Sequence, residues 1–191
     1  MSIFVKPAKS VKMKFIEDIR NYIGEYLLHG EIRKYQLKRA FTSLDDALEI
    51  GIIYNGFNRE EEAMVHKYAN ELRSQGKKVF MMGYVDVKVL PGNKKFSLQS
   101  EYCWKEKLTP FNLPDKSKVG RFLDIEFDLL LSLYTEPLLP MQALSAYAHA
   151  KYRVGPAMKH GTQYVDAMID TGENKELGFL IEQVDFYLRS I

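Results

Sequence analysis

The sequence predicts an α/β fold: three layers built on an open, mostly parallel sheet, Rossmann-like or flavodoxin-like, preceded by an N-terminal amphipathic helix. Three observations predict it. Short apolar runs alternate with amphipathic stretches along most of the chain, the pattern of repeated strand–helix–strand units. The helix of the first such unit is bounded by turn residues at both ends, Asn55-Gly56 before it and Gln75-Gly76 after it. At 191 residues, 46% hydrophobic and 27% charged, the chain is long enough for a continuous core and short of what two full domains need. Residues 1–191 therefore read as one domain, with 1–45 as a basic helical extension.

From Ser10 to Leu28 the apolar residues Phe15, Ile19, Tyr22, Ile23, Tyr26 and Leu27 recur at three- and four-residue steps and mark one face of a helix, which His29-Gly30 stops. Ser43 caps a short turn through Asp45 and Asp46, and Glu49–Tyr54 follows as a buried strand. Asn58 is placed as the N-cap of the next helix, with Glu61 three residues on, and Ala63, Tyr68, Ala69 and Leu72 turn inward. Lys78–Val85 is the second strand, so the unit implies parallel pairing through a right-handed crossover. Residues 86–114 break the pattern. Pro91-Gly92-Asn93, a short strand near Phe96–Leu98 and the aromatic residues Tyr102, Trp104 and Phe111 read as an excursion from the sheet. Regularity returns with a central strand Phe127–Tyr134, a helix Pro140–Ala150 whose proline suits a first turn, a short strand Lys151–Gly155, a strand Tyr164–Ile169 and a closing helix Lys175–Leu188.

The formal charge of +2 gives no whole-molecule argument for nucleic acid. Residues 1–40 nevertheless hold nine basic against four acidic residues, net +5, which leaves net −3 for the remainder. That asymmetry points to a homo-oligomer or an acidic partner met through basic N-terminal helices, although a solvated helix face is the commoner origin of such a pattern. A single cysteine, Cys103, excludes an internal disulfide and a zinc cluster of cysteines, and its place between Tyr102 and Trp104 marks a packed thiol. The N-terminus lacks the apolar core of a signal peptide, and no run approaches the ~20 apolar residues of a membrane span. A cytoplasmic location without a membrane span is the expectation.

Ligands in open α/β sheets bind beyond the carboxyl ends of the strands, which nominates Asn55, Asn58, Asp86, Thr135 and Arg153 as ligand contacts. Asn55-Gly56 is equally an ordinary turn. The loop Tyr54–Arg59 has neither the GxGxxG nor the Walker spacing, and Glu60, Glu61 and Glu62 would repel a pyrophosphate at the helix start. No cofactor is expected. The histidines His29, His66, His149 and His160 lack HxH or HExxH spacing, so no metal site is expected either; His66 and His149 read as helix-surface residues. Asp124, Glu126 and Asp128 are spaced for acid/base or metal work but lie at an element junction where acidic residues are commonplace. Arg153 shares a strand face with Lys151, where it either holds an anion or pairs with Asp128 or Glu126; pairing is the stronger reading.

The runs Phe127–Leu133, Pro140–Ala150 and Lys151–Gly155, with Ile50–Tyr54, resemble an uncharacterised bacterial family of unknown function over most of the chain. That resemblance implies no activity. Asp128–Gly155 is similar, over about thirty residues, to the acceptor-side domain of heptosyltransferase-like glycosyltransferases, with an Asp-led strand, a helix and an Arg-apolar-Gly strand in the same order; no donor-binding residue carries over. The functional expectation is a binding or interaction module. The alternative is a small-molecule enzyme acting on a sugar or phosphorylated metabolite at the strand carboxyl ends, and no catalytic residue identifies it.

Overall fold

A computed structural model describes residues 11–32, 39–94, 96–136, 138–158 and 161–190. In chain order these form α1 (Val11–Ile32), β1 (Glu49–Asn55), α2 (Arg59–Ser74), β2 (Lys78–Val85), β3 (Ser100–Trp104), β4 (Glu126–Leu133), α3 (Leu139–Tyr147), β5 (His149–Pro156), β6 (Ala167–Ile169) and α4 (Leu177–Arg189). The strands pair in the order β3-β2-β1-β4-β5-β6 and are parallel throughout. The chain winds outward from β1 to β3, crosses back, and winds the other way from β4 to β6, so the direction of winding reverses between β1 and β4.

Both faces of the sheet are covered, which is why the central strands read as unbroken apolar runs rather than alternating ones. Under α2 and α4 lie Ile50, Ile52, Tyr54, Leu72, Met81, Leu129, Leu131, Leu180 and Val184. Under α1 and α3 lie Leu28, Ile53, Met82, Cys103, Leu130, Tyr134, Leu139 and Leu144. Each such aliphatic side chain contributes about 1.5–3 kcal/mol on burial. Asn58 caps α2 as expected, its Oδ1 accepting from the backbone N–H groups of Glu60 (3.0 Å) and Glu61 (3.4 Å). Gly76, at φ +84°, supplies the left-handed residue that ends that helix. Val65 rather than Ala63 takes the inward position beside Tyr68, Ala69 and Leu72.

Four expectations need correction. Helix α1 runs through His29-Gly30 to Ile32 instead of stopping there. The stretch 86–114 is not wholly an excursion: after a helix-free crossing the chain re-enters the sheet as β3, and the expected strand near Phe96–Leu98 is reduced to one bridge between Ser97 and Ser100. An edge strand that opens on Ser100 and Glu101 lacks the apolar run that marks a central one. Helix α3 stops at Tyr147 and β5 starts at His149, so His149 is a strand residue and not one on a helix surface. The expected strand Tyr164–Ile169 shortens to β6, because its first residues follow a 3-10 turn at Gly161–Gln163.

Helix α1 lies across the α3 side. It rests on Glu17, Asn21, Gly24 and Leu28, which are buried or half-buried, and Ile23, His29, Glu31 and Ile32 are half-buried beside them. A Cβ at Gly24 would fall 2.3 Å from the Phe111 carbonyl oxygen and 2.9 Å from Leu139, so only glycine permits this approach. Asn112, at φ 58°, fastens the same point by donating from Nδ2 to Asn21 Oδ1 at 2.7 Å. The second half of the expected basic helix pair falls on 33–38, outside the described residues.

Candidate functional site

At the carboxyl side of the first βαβ unit a polar cluster joins four segments of chain. Glu62, in the second turn of α2, accepts from the hydroxyl of Tyr102 on β3 at 3.0 Å and from that of Tyr54 on β1 at 3.5 Å. Its other oxygen pairs with the ammonium of Lys94, which also donates to the Gly56 carbonyl at 2.6 Å and stands over the Tyr102 ring. The Lys94 side chain is 6% exposed and that of Glu62 16%, so the pair is nearly dry. His66, one turn on, sets its ring edge-on to Tyr54, with Nε2 3.5 Å from the Tyr54 hydroxyl. The rings of Tyr54 and Tyr102 converge because Gly83 lies between them: a Cβ there would be 2.8 Å from Tyr54 and 2.9 Å from Tyr102.

Burial raises the pKa of Tyr54, and the neighbouring Tyr102 and Glu62 add to it. Burial likewise raises Tyr102. The His66 imidazole is pushed below its ordinary range by burial, with Arg73 and Lys94 adding to the effect and Glu62 opposing it. The cluster opens on a groove of about 510 Å³ lined also by Arg59, Ala63 and Asn93. Glu62, Lys94 and Tyr102 are engaged with one another, and the other polar groups lining the groove are the neutral imidazole, the Arg59 guanidinium and the Asn93 amide. Nearer the reversal point, burial raises the carboxyl of Glu61, and Glu136 across the crevice adds to it. No group of three or more acidic, histidine or cysteine side chains suited to a metal occurs among the described residues.

The second feature is the outer face of α1. A surface helix ordinarily turns its apolar stripe to the core; here Phe15, Ile19, Tyr22, Tyr26 and Leu27 of the stripe face away from it, and Ile23 at its edge is half-buried. Phe15 is 64%, Tyr22 75% and Tyr26 76% exposed, and Ile16, Ile19 and Leu27 are exposed beside them. At ~200 Å² per large side chain this leaves on the order of 600 Å² of apolar surface on one helix, the upper end of what a monomeric protein shows. The stripe runs into a cavity of about 830 Å³ between the end of α1 and residues 109–116, where Tyr26, Phe111, Pro114 and Tyr147 form walls.

Set against known families, residues 20–191 match a family of unknown function. The chain belongs to that family, DUF6913. No curated protein and no solved structure matches it, and nothing supports the similarity of Asp128–Gly155 to a glycosyltransferase acceptor domain. The DUF6913 match opens at position 20, inside α1, and so takes in Tyr22, Ile23, Tyr26 and Leu27 of the outer face.

In this DUF6913 chain Asn55, Asn58, Asp86 and Thr135 lie at or just beyond the carboxyl ends of the adjacent strands β2, β1 and β4, and Arg153 lies within β5. Asn55 Oδ1 accepts from the Phe57 N–H at 3.1 Å, closing the turn, and Asn58 caps α2. Asp86 pairs with Lys105 at 2.8 Å and accepts from the Tyr84 hydroxyl at 3.4 Å. Thr135 is half-buried after β4. Arg153 is 3% exposed and donates to the Ala148 carbonyl at 2.9 Å. None of the five lines either hollow just described.

The expected partners of Arg153 are also corrected. Register places Arg153 beside Leu130, two residues beyond Asp128, so its carboxylate neighbour is Asp166, which accepts from the Arg153 backbone N–H at 3.0 Å. Asp128 instead accepts from the Leu48 and Glu49 N–H groups at 2.9 and 3.0 Å and pairs with Lys151 at 2.7 Å. Burial works against its charge, yet those donors hold its pKa below the usual carboxylate range. Cys103 is the packed thiol expected of it, with burial pushing its pKa up to about 12. Sequence reasoning missed the cluster itself. It set His66 on a helix surface and used Glu62 only as a charge at a helix start; a Glu62/His66 pair four apart on one helix face is the one local signal, and Lys94 carries none.

Proposed function

We propose that this chain is an interaction module: a Rossmann-like sheet, 1–191 forming one cytoplasmic domain, whose outer layer presents α1 to a protein partner. The apolar outer face of α1 is the observation that carries this reading. A helix anchored by Gly24, Asn21 and Leu28 keeps that face fixed rather than free to turn inward. The leading N–H groups of α2, where a doubly wound sheet would hold phosphate, are taken by Asn58, and three glutamates surround them. No helix among the described residues is long and apolar enough to cross a membrane.

The buried Cys103 makes a clean test available, since an introduced cysteine is then the only reactive thiol. Tyr22→Cys and Lys67→Cys place one label site on the outer face of α1 and one on α2, where the lysine is 81% exposed. In cells producing the protein at its natural level, maleimide should label the Tyr22→Cys variant several-fold more slowly than in dilute purified protein, with Lys67→Cys labelled equally in both. Equal labelling of both sites in both settings rejects the interaction module.

The groove lined by Arg59, His66 and Asn93 favours a second reading, a site for a phosphorylated or hydroxylated small molecule. Titrating inorganic phosphate and a sugar phosphate while following the His66 ring protons by NMR decides it: saturable shifts support the site, and none at millimolar ligand removes it.

A further inference from the structure

We propose that the occupant of the outer face of α1 is a second copy of this chain, joined in an antiparallel helix pair about a twofold axis at the level of Asn21. The inference rests on the interaction-module reading and names its partner.

Three observations single out a second copy. The first is symmetry in the apolar pattern. The outer face carries the exposed Phe15, Ile16, Ile19, Tyr22, Tyr26 and Leu27, with the half-buried Ile23 at its edge. Read backwards about position 21, 15 exchanges with 27, 16 with 26 and 19 with 23, while Tyr22 falls opposite Arg20, so six of the seven knobs keep their apolar character in either direction. An isologous interface requires such self-complementarity, because the same patch serves both subunits. In the pair, Phe15 and Ile16 of one copy meet Tyr26 and Leu27 of the other at each end, while Ile19 and Ile23 meet in the middle.

The second is charge. No ionisable side chain other than a tyrosine phenol stands among the seven outer-face residues, so the surface offers nothing to an acidic protein. Helix α1 as a whole has Lys12, Lys14 and Arg20 against Glu17, Asp18, Glu25 and Glu31, three basic to four acidic, which gives no attraction to an anionic bilayer. On the flank of the antiparallel pair Lys14 of one copy falls within about one helical turn of Glu25 of the other, a contact of opposite sign.

The third is area. On the order of 600 Å² of apolar surface per copy approaches the roughly 800 Å² per partner of a standard specific interface. The cavity beside Tyr26 and Phe111 adjoins the stripe, giving the partner's end residues a recess to enter.

The test uses the purified chain alone. Light scattering across a micromolar dilution series should give twice the 22.2 kDa of the chain, with Ile19→Glu shifting it to the single mass at an unchanged far-ultraviolet circular dichroism spectrum. For orientation, Phe15→Cys and Leu27→Cys are treated with a short bis-maleimide, each alone and mixed. An antiparallel pair separates the two copies of position 15 by about 18 Å along the helix, so crosslinking should be strong only in the mixture. A monomer at every concentration overturns the second copy while leaving slow labelling of the Tyr22→Cys variant in cells, and with it the interaction module, intact. A dimer that survives Ile19→Glu places the interface elsewhere and overturns the proposal, and efficient crosslinking of either variant alone overturns the antiparallel arrangement.

Discussion

At the scale of single residues, the buried polar side chains carry the sharpest consequences. Arg153 holds a guanidinium in the core with the Ala148 carbonyl as acceptor and Asp166 close by, and burial presses its pKa below the usual guanidinium range. Arg153→Ala removes packed stem as well as the donor and should lower stability by about 2–4 kcal/mol, with Arg153→Lys costing less because an ammonium still reaches an acceptor. Thermal melts of the two variants measure the difference. His66 gives a pH dependence whose sign follows from its lowered pKa. As pH falls past the unfolded value of about 6.5, the unfolded chain takes up the proton before the folded one does. The stability contributed by neutral His66 is therefore complete above that pH and is lost toward pH 5. Denaturant titrations from pH 7.5 to 5 should show the decline, and His66→Gln should flatten it.

At the scale of elements, the Glu62–Lys94 pair is the fastening that holds the crossing between β2 and β3 against α2 and the β1 turn. A buried ion pair adds little over a well-packed apolar one, but breaking it strands a charge. Glu62→Gln and Lys94→Met should each lower stability by about 2–4 kcal/mol, and the double variant by clearly less than their sum, in a double-mutant cycle followed by denaturant unfolding. Simple addition would show that the two do not act as a pair. This fastening was illegible in the sequence, since Lys94 lies in an irregular stretch and meets Glu62 only after β2 has turned back on β1. By contrast β1, α2 and β2 were legible throughout: unbroken apolar strands, an Asn58 cap and a Gly76 stop are all local signals.

At the scale of the whole molecule, the charge asymmetry and the exposed face of α1 predict opposite responses to salt. An arm that bound through its basic residues would let go as ions screen it. Contact through Phe15, Ile19, Tyr22 and Tyr26 buries apolar surface, so raising sodium chloride from about 0.05 to 0.5 M, across which the Debye length shrinks severalfold, should leave self-association unchanged or tighter. Sedimentation velocity at the two concentrations reads this directly, and dissociation at high salt would return the contact to the basic residues.

Periodicity and capping within a few residues were enough to set the α/β class, the parallel first unit, the central strand, expected at Phe127–Tyr134 and found at Glu126–Leu133, and the amphipathic character of α1. Contacts between distant segments set the strand order, the use of Ser100–Trp104 as an edge strand, the partner of Arg153 and the side of α1 that meets the core. No local pattern encodes which segments meet across such separations. A helical period says that a face is apolar; it takes Gly24 against Phe111, and Asn112 reaching Asn21, to turn that face outward.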